Sequence, residues 1–127
     1  MNTYCANYIR HRSGTPEPED FIGNLDMFFE NKEGKPIGPD TQCPWLKPYP
    51  PGFRKLLKWI SDRNGKPKIY VTENGTSVKG ENDMSKEERL EDDFRLGYHK
   101  DYVNAMNDAV REDGVDCKGY MAWSLME

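Results

Sequence analysis

Apolar positions recur with helical spacing in two parts of the chain. From Gly52 to Asn64 the residues Phe53, Leu56, Leu57 and Ile60 fall at i, i+3, i+4 and i+7, which places them on one face of an amphipathic helix. Gly65 followed by Pro67 supplies the stop. Further on, Ser85 and Glu88 have the S-x-x-E spacing of a capping box, in which each side chain satisfies the other's free backbone N–H. An apolar stripe then runs through Leu90, Phe94, Tyr98, Tyr102, Met106 and Val110 to a stop at Gly114. That spacing predicts one long helix lying against a sheet, with its Tyr and Phe row used for packing. Three short stretches, Thr3 to Ile9, Lys68 to Thr72 and Gly119 to Leu125, are rich in aromatic, β-branched or small residues and read as strands.

The predicted order is strand, long loop, helix, strand, loop, helix, strand, the βα repetition of parallel α/β architecture. Three parallel strands do not make a domain. A (β/α)8 barrel needs eight such units in about 250 residues, and an open doubly wound sheet needs more cover than two helices provide. Either way, the order reads as α/β and the chain as a piece of something larger. Between Arg10 and Pro50 runs a loop rich in Gly and Pro. Phe28, Phe29 and Trp45 within it argue for docking on the body of the protein, since a solvated linker seldom keeps large aromatics. Trp59, on the first helix, is expected to pack.

Composition narrows the function classes. The chain has 127 residues and a formal charge of −4, with 35% hydrophobic and 31% charged residues, the balance of a globular segment. Lys and Arg are dispersed among Asp and Glu, so no basic stripe suits a phosphate backbone and nucleic acid is not an expected partner. No stretch approaches the roughly 18 apolar residues of a membrane span, so no membrane association is expected. Met1 to Cys5 lack the charged-then-apolar pattern of a signal peptide. Cys5, Cys43 and Cys117 are odd in number and without CxxC spacing, which supports neither a zinc site nor a disulfide framework. Free thiols favour a reducing, cytoplasmic compartment; the sequence otherwise leaves location open. His11 and His99 have no second ligand at helical spacing, and His99 reads as a solvated helix residue. No metal is expected.

The segment that carries chemistry is Ile69-Tyr70-Val71-Thr72-Glu73-Asn74-Gly75. A hydrophobic strand ends in a carboxylate, and Asn and Gly turn the chain at once. At the C-terminal end of a barrel strand such a residue faces the mouth where catalysis occurs. A carboxylate there can attack an anomeric carbon and leave again in a second step. Taken alone, a Glu before Asn-Gly is equally the solvated last residue of a strand entering a turn.

Ile-Tyr-Val-Thr-Glu-Asn-Gly resembles the nucleophile motif of the family 1 glycoside hydrolases. The resemblance continues through Gly119-Tyr120-Met121-Ala122-Trp123-Ser124-Leu125-Met126, Asn2-Thr3-Tyr4 and Pro44-Trp45-Leu46-Lys47-Pro48. In order and spacing these segments are similar to the fungal β-glucosidases of that family. The resemblance implies a partial (β/α)8 TIM barrel with about its last three strands and two intervening helices, residues 1–127 being the C-terminal portion of a catalytic barrel and no complete domain. It implies that Glu73 is the nucleophile at the end of the seventh barrel strand. Tyr4, near the end of the sixth, would hydrogen-bond to Glu73 and orient it, and Asn2 would line the same pocket. Trp123, at the end of the eighth strand, would stack on the sugar at the cleavage site, and Trp45 would form a platform on the leaving-group side. Two features depart from the family pattern. Its acid/base glutamate, in a T-x-N-E-P motif, has no counterpart in the chain, and its C-terminal sugar-binding Glu-Trp pair is missing, Glu127 standing where the family has Asp.

The activity so implied is hydrolysis of O-glycosyl bonds by a retaining β-glucosidase acting on terminal β-D-glucosyl residues of small glucosides or cello-oligosaccharides, without a cofactor. The chain alone would be inactive, because the acid/base group is absent from it. Two other readings compete: a gene-model or splice fragment that never folds alone, and a non-catalytic carbohydrate-binding protein reusing part of a barrel.

Overall fold

The computed structural model describes residues 1–124. Leu125, Met126 and Glu127 lie outside the described residues, and with them the end of the expected Gly119 to Leu125 strand and the reading of Glu127. The elements in chain order are β1 (Tyr8–His11), β2 (Leu25–Phe28), α1 (Pro50–Arg63), β3 (Ile69–Asn74), a 3₁₀ turn (Glu81–Asp83), α2 (Lys86–Leu90), α3 (Asp93–Arg111) and β4 (Cys117–Ala122).

β3 and β4 pair in parallel, with Ile69 opposite Cys117, Val71 opposite Tyr120 and Asn74 opposite Ala122. Together with α3 they form a βαβ unit, the building block expected of a barrel. On its other side β3 meets the first residues of the chain. Thr72 donates its backbone N–H to the Met1 carbonyl at 2.9 Å, Thr3 donates to the Glu73 carbonyl at 3.0 Å, and Asn2 forms a parallel bridge to Glu73. β3 is thus flanked by the N-terminal segment and by β4.

The expected Thr3 to Ile9 strand is corrected by this arrangement. Pairing with β3 occupies Met1 to Thr3, and β3 ends at Asn74, so the ladder with β3 stops there. From Tyr8 the chain instead pairs antiparallel with β2, Tyr8 opposite Phe28 and His11 opposite Leu25. A hairpin therefore lies inside what reads as a loop from Arg10 to Pro50. Its turn is held by Arg12, which donates to the Gly23 and Leu25 carbonyls and pairs with Asp20 at 3.0 Å.

α1 starts on two prolines, whose missing N–H groups would be unsatisfied in a first turn in any case. It buries Phe53 and Leu57 as its period predicts, and Gly65, at φ 69°, turns the chain out of it. Trp59 departs from expectation: it is 56% exposed, with the Arg63 guanidinium over its ring at 5.3 Å.

The predicted single long helix is two. Ser85 and Glu88 do form a capping box, but the helix they start ends at Leu90, and Asp92 caps a new one by accepting from the Arg95 N–H at 3.0 Å. The carboxylates of Asp92 and Glu81 both bind the Arg95 guanidinium at 2.7 Å, and this cluster fixes the break. Leu90 is 74% exposed and drops out of the buried stripe, which runs through Tyr98, Tyr102, Ala105 and Ala109. Alanines on that face let α3 lie close to α1, and Arg54 ties the two helices through Asp113 at 2.7 Å and Glu112 at 2.7 Å. The core comprises Phe53 and Leu57 of α1, Ile69 and Val71 of β3, the α3 stripe and Val115. Tyr98 and Tyr102 stack at 4.3 Å between centroids, and Phe53 leans on Tyr102 at 5.3 Å.

Candidate active site

β3 delivers Glu73 to the carboxyl end of the sheet. Along the strand Ile69 and Val71 face the core and Tyr70 and Thr72 the other side. The register is irregular between Val71 and Asn74. Asn74 is consequently buried and Glu73 half-buried, where strict alternation would bury position 73 and expose 74.

Tyr4 donates its phenolic hydrogen to Oε2 of Glu73 at 2.5 Å, the short length expected when a hydroxyl bonds an ionised carboxylate. Trp45 presents itself edge-on to Tyr4 at 6.3 Å between centroids. A cleft of about 360 Å³ opens here, lined among others by Tyr4, Trp45, Gly75, Thr76, Ser77 and Trp123. Both tryptophans are about half exposed, Trp45 at 54% and Trp123 at 53%. Exposed indoles beside a cleft are surface an apolar ligand face could cover.

Tyr4, Trp45 and Trp123 thus share one cleft, and Glu73 adjoins it through its bond to Tyr4. Asn2 is beside Glu73 in the sheet, but its side chain is turned along β3, where Oδ1 accepts from the Thr72 hydroxyl at 2.6 Å. A larger hollow of about 560 Å³ lies along the hairpin and is bordered by Ile9, Phe28 and Glu30 rather than by Glu73 or either cleft tryptophan.

The loop carrying Trp45 is anchored on both flanks. The buried Thr41 hydroxyl lies 2.9 Å from the Cys43 carbonyl and 3.1 Å from that of Leu46, and the Cys43 N–H donates to the Ser77 hydroxyl at 3.2 Å. Asp40 accepts from Lys47 at 2.6 Å and from Lys79 at 2.8 Å. Hydrogen bonds from Lys47 and then Lys79 hold the Asp40 carboxyl down at about 2. Lys47 also lies over the Phe29 ring at 5.4 Å, the docking expected of that aromatic.

Sequence reading missed the supports behind Glu73. Asn74, taken as a turn former, is fully buried, and its amide donates to the Thr3 carbonyl at 2.6 Å and accepts from the Tyr120 hydroxyl at 2.6 Å. Burial pushes the Tyr120 phenol up to about 12, so it remains a donor. His99 is corrected as well: it is no solvated helix residue, since Nδ1 lies 3.0 Å from the Tyr120 oxygen. The available signal was the position of Asn74 at the end of a segment whose inward face is already apolar.

Among the described residues no group of three His, Cys, Asp or Glu is placed to hold a metal ion, and no helix is long and apolar enough to cross a membrane. Cys5, Cys43 and Cys117 are free thiols, each partly buried.

Parallel βα units with a tyrosine-gripped carboxylate at a strand's carboxyl end, beside a cleft walled by indoles, define a segment of an α/β-barrel protein. The chain belongs to the family described as Glycosyl hydrolase family 1, whose sequence profile matches residues 1–127. It is 42% identical over 127 residues to Beta-glucosidase 1B of Phanerodontia chrysosporium, an alignment that takes in 100% of this chain and 23% of that protein. Among solved structures, a family 1 β-glucosidase from the fungus Humicola insolens in complex with glucose superposes with a TM-score of 0.96 at 62% identity, over 98% of this chain and 26% of that one. β-Glucosidase 2 from the fungus Trichoderma reesei superposes with a TM-score of 0.96 at 60% identity, over 99% of this chain and 27% of the other. The chain therefore spans about a quarter of the length of the relatives it matches.

Proposed function

We propose that residues 1–127 are the C-terminal portion of the catalytic barrel of a retaining β-glucosidase, which hydrolyses terminal β-D-glucosyl residues of small glucosides or cello-oligosaccharides. The observation that carries this reading is the Tyr4–Glu73 hydrogen bond at the carboxyl end of β3, beside a cleft whose lining includes Trp45 and Trp123. The naming of the relatives as β-glucosidases supports it.

In this reading Glu73 attacks the anomeric carbon and forms a glycosyl-enzyme ester. Tyr4 holds one carboxylate oxygen, so that the other is aimed and little reorganisation is needed as the bond forms. Trp123 stacks on the sugar at the cleavage site and Trp45 on the leaving-group side, each placing an apolar ring face against C–H groups. Asn2, adjoining Glu73 in the sheet, contributes to the wall of the same pocket. A second carboxyl group, about 5–5.5 Å from the first, protonates the leaving oxygen and later activates water. That group comes from the part of the barrel outside these 127 residues. The chemistry needs no cofactor, because two carboxyl groups supply both the nucleophile and the proton transfers.

The test is covalent labelling of the full-length protein. A 2-deoxy-2-fluoro-glucoside with a good leaving group is expected to esterify Glu73 and stall, because fluorine destabilises the oxocarbenium-like second step while the reactive aglycone drives the first. With Glu73→Gln the attacking anion is gone, so labelling vanishes and turnover falls by several orders of magnitude. A sugar mapped by mass spectrometry to any other residue of this chain would overturn the assignment. Binding of glucosides with neither labelling nor turnover would favour a carbohydrate-binding role instead.

A further inference from the structure

We infer that Asn74 is a positioning residue for Glu73, acting through the peptide that carries Tyr4 and set by a one-way chain of hydrogen bonds that runs from His99 through Tyr120. This rests on the reading of Glu73 as nucleophile.

The direction of the chain follows from which atoms can donate. The Thr3 carbonyl only accepts, so the Asn74 amide nitrogen faces it at 2.6 Å. The Asn74 oxygen is then the atom turned to Tyr120, and the Tyr120 hydroxyl must spend its single hydrogen on it, at 2.6 Å. The Tyr120 oxygen has no hydrogen left to offer, so His99 Nδ1, 3.0 Å away, is the protonated ring nitrogen and donates in turn. Each donor in such a series polarises the next, and the series ends on the peptide joining Thr3 to Tyr4.

The backbone through that peptide and its two neighbours is held at three points. The Thr3 N–H donates to the Glu73 carbonyl at 3.0 Å, Asn74 holds the Thr3 carbonyl, and the Tyr102 hydroxyl lies 3.4 Å from the Tyr4 carbonyl. The backbone of Asn74 grips a third segment, its carbonyl accepting from the Trp123 N–H at 2.9 Å. One fully buried side chain next to the nucleophile therefore sets where the Tyr4 phenol stands relative to Oε2 of Glu73. An asparagine suits the position because it must donate to one side and accept from the other. Aspartate has the same shape but places an oxygen against the Thr3 carbonyl, which rotates that peptide away.

The experiment is a double-mutant cycle in the full-length protein, with kcat and KM on an aryl β-glucoside and the rate of inactivation by the 2-fluoro sugar as readouts. Asn74→Asp is expected to lower kcat and the inactivation rate on the order of 10- to 100-fold, the scale of a misplaced reacting group, with KM within about twofold. Tyr4→Phe is expected to act alike, and the double variant to fall little below the worse single one, since both remove the same alignment. Tyr120→Phe, which keeps the ring and cuts the chain one link earlier, is expected to give a smaller loss of kcat. It decides the question in the same cycle should Asn74→Asp not fold. Losses that multiply in the double variant, a change confined to KM, or full kcat in both Asn74→Asp and Tyr120→Phe would overturn the inference while leaving Glu73 as nucleophile. If instead Glu73→Gln still labels and turns over, the nucleophile reading itself has failed, and the inference with it.

Discussion

Tyr4 and Glu73 meet through one short hydrogen bond, and its length says what removing it should do. A hydroxyl 2.5 Å from a carboxylate oxygen makes a charge-assisted bond, of a kind worth about 1.5–3 kcal/mol when a partner is lost. Tyr4→Phe in the full-length protein is therefore expected to lower kcat about 10- to 100-fold, with little change in melting temperature because the ring still packs against Trp45; a fall in melting temperature without a fall in kcat would mark Tyr4 as a packing residue. At this scale much was legible. Glu73, Tyr4, Trp45 and Trp123 were picked out by motif; Tyr4, Trp45 and Trp123 line one cleft, and Glu73 is hydrogen-bonded to Tyr4. Asn74 and His99 were read locally, as a turn former and a solvated residue. Their partners, Thr3, Tyr120 and through it each other, lie 71, 46 and 21 residues away, and periodicity carries no information over such distances.

Elements were legible where their own side chains decide them. α1 follows its apolar period, its prolines and its terminal glycine. The helix expected to run from the capping box to Gly114 breaks because Asp92 offers a new cap and Arg95 gathers Asp92 and Glu81, and a charge cluster assembled from three positions does not show in an apolar stripe. Two consequences follow for how elements hold the cleft. The first is at the end of β3, where a Cβ on Gly75 would run into the Trp123 carbonyl. Gly75→Ala is expected to push the end of β4 away from β3, lowering kcat/KM and shifting the Trp123 fluorescence; an unchanged spectrum and rate would mean that the two segments part without effect. The second is the Asp40 clasp between the loop carrying Trp45 and the segment after β3. Its carboxyl, ordinarily near 3.8, is held at about 2 by Lys47 and Lys79, so the stability it lends is present in full above about pH 4 and is lost as pH falls towards 2. The difference in melting temperature between the full-length protein and its Asp40→Asn variant should accordingly close over that interval, and a difference that persists at pH 2 would show another cause.

At the scale of the whole molecule the chain has a core but too little of it. Ile9, Phe21, Met27, Leu90, Leu96 and Met121 are all at least half exposed, and the β3–β4 sheet has only the first three residues to extend it among the described residues. Expressed alone, residues 1–127 are expected to aggregate or to unfold without a sharp transition; a soluble monomer with a cooperative melt would show that these faces need no further cover. The parallel β3–α3–β4 unit was legible from the order of strands and helices, whereas the β1–β2 hairpin was not, since its strands are four residues long and their partners are known only once β3 has claimed Met1 to Thr3. The same flanking of β3 has a consequence in time. Tyr4 precedes Glu73 by 69 residues and Tyr120 follows Asn74 by 46, so during synthesis the tyrosine leaves the ribosome long before its carboxylate, and β4 emerges later than both. Closing such distances costs chain entropy before any contact repays it. The geometry around Glu73 thus forms only after β4 has emerged, later than the local contacts of α1 and of the β1–β2 hairpin, which close over far fewer residues.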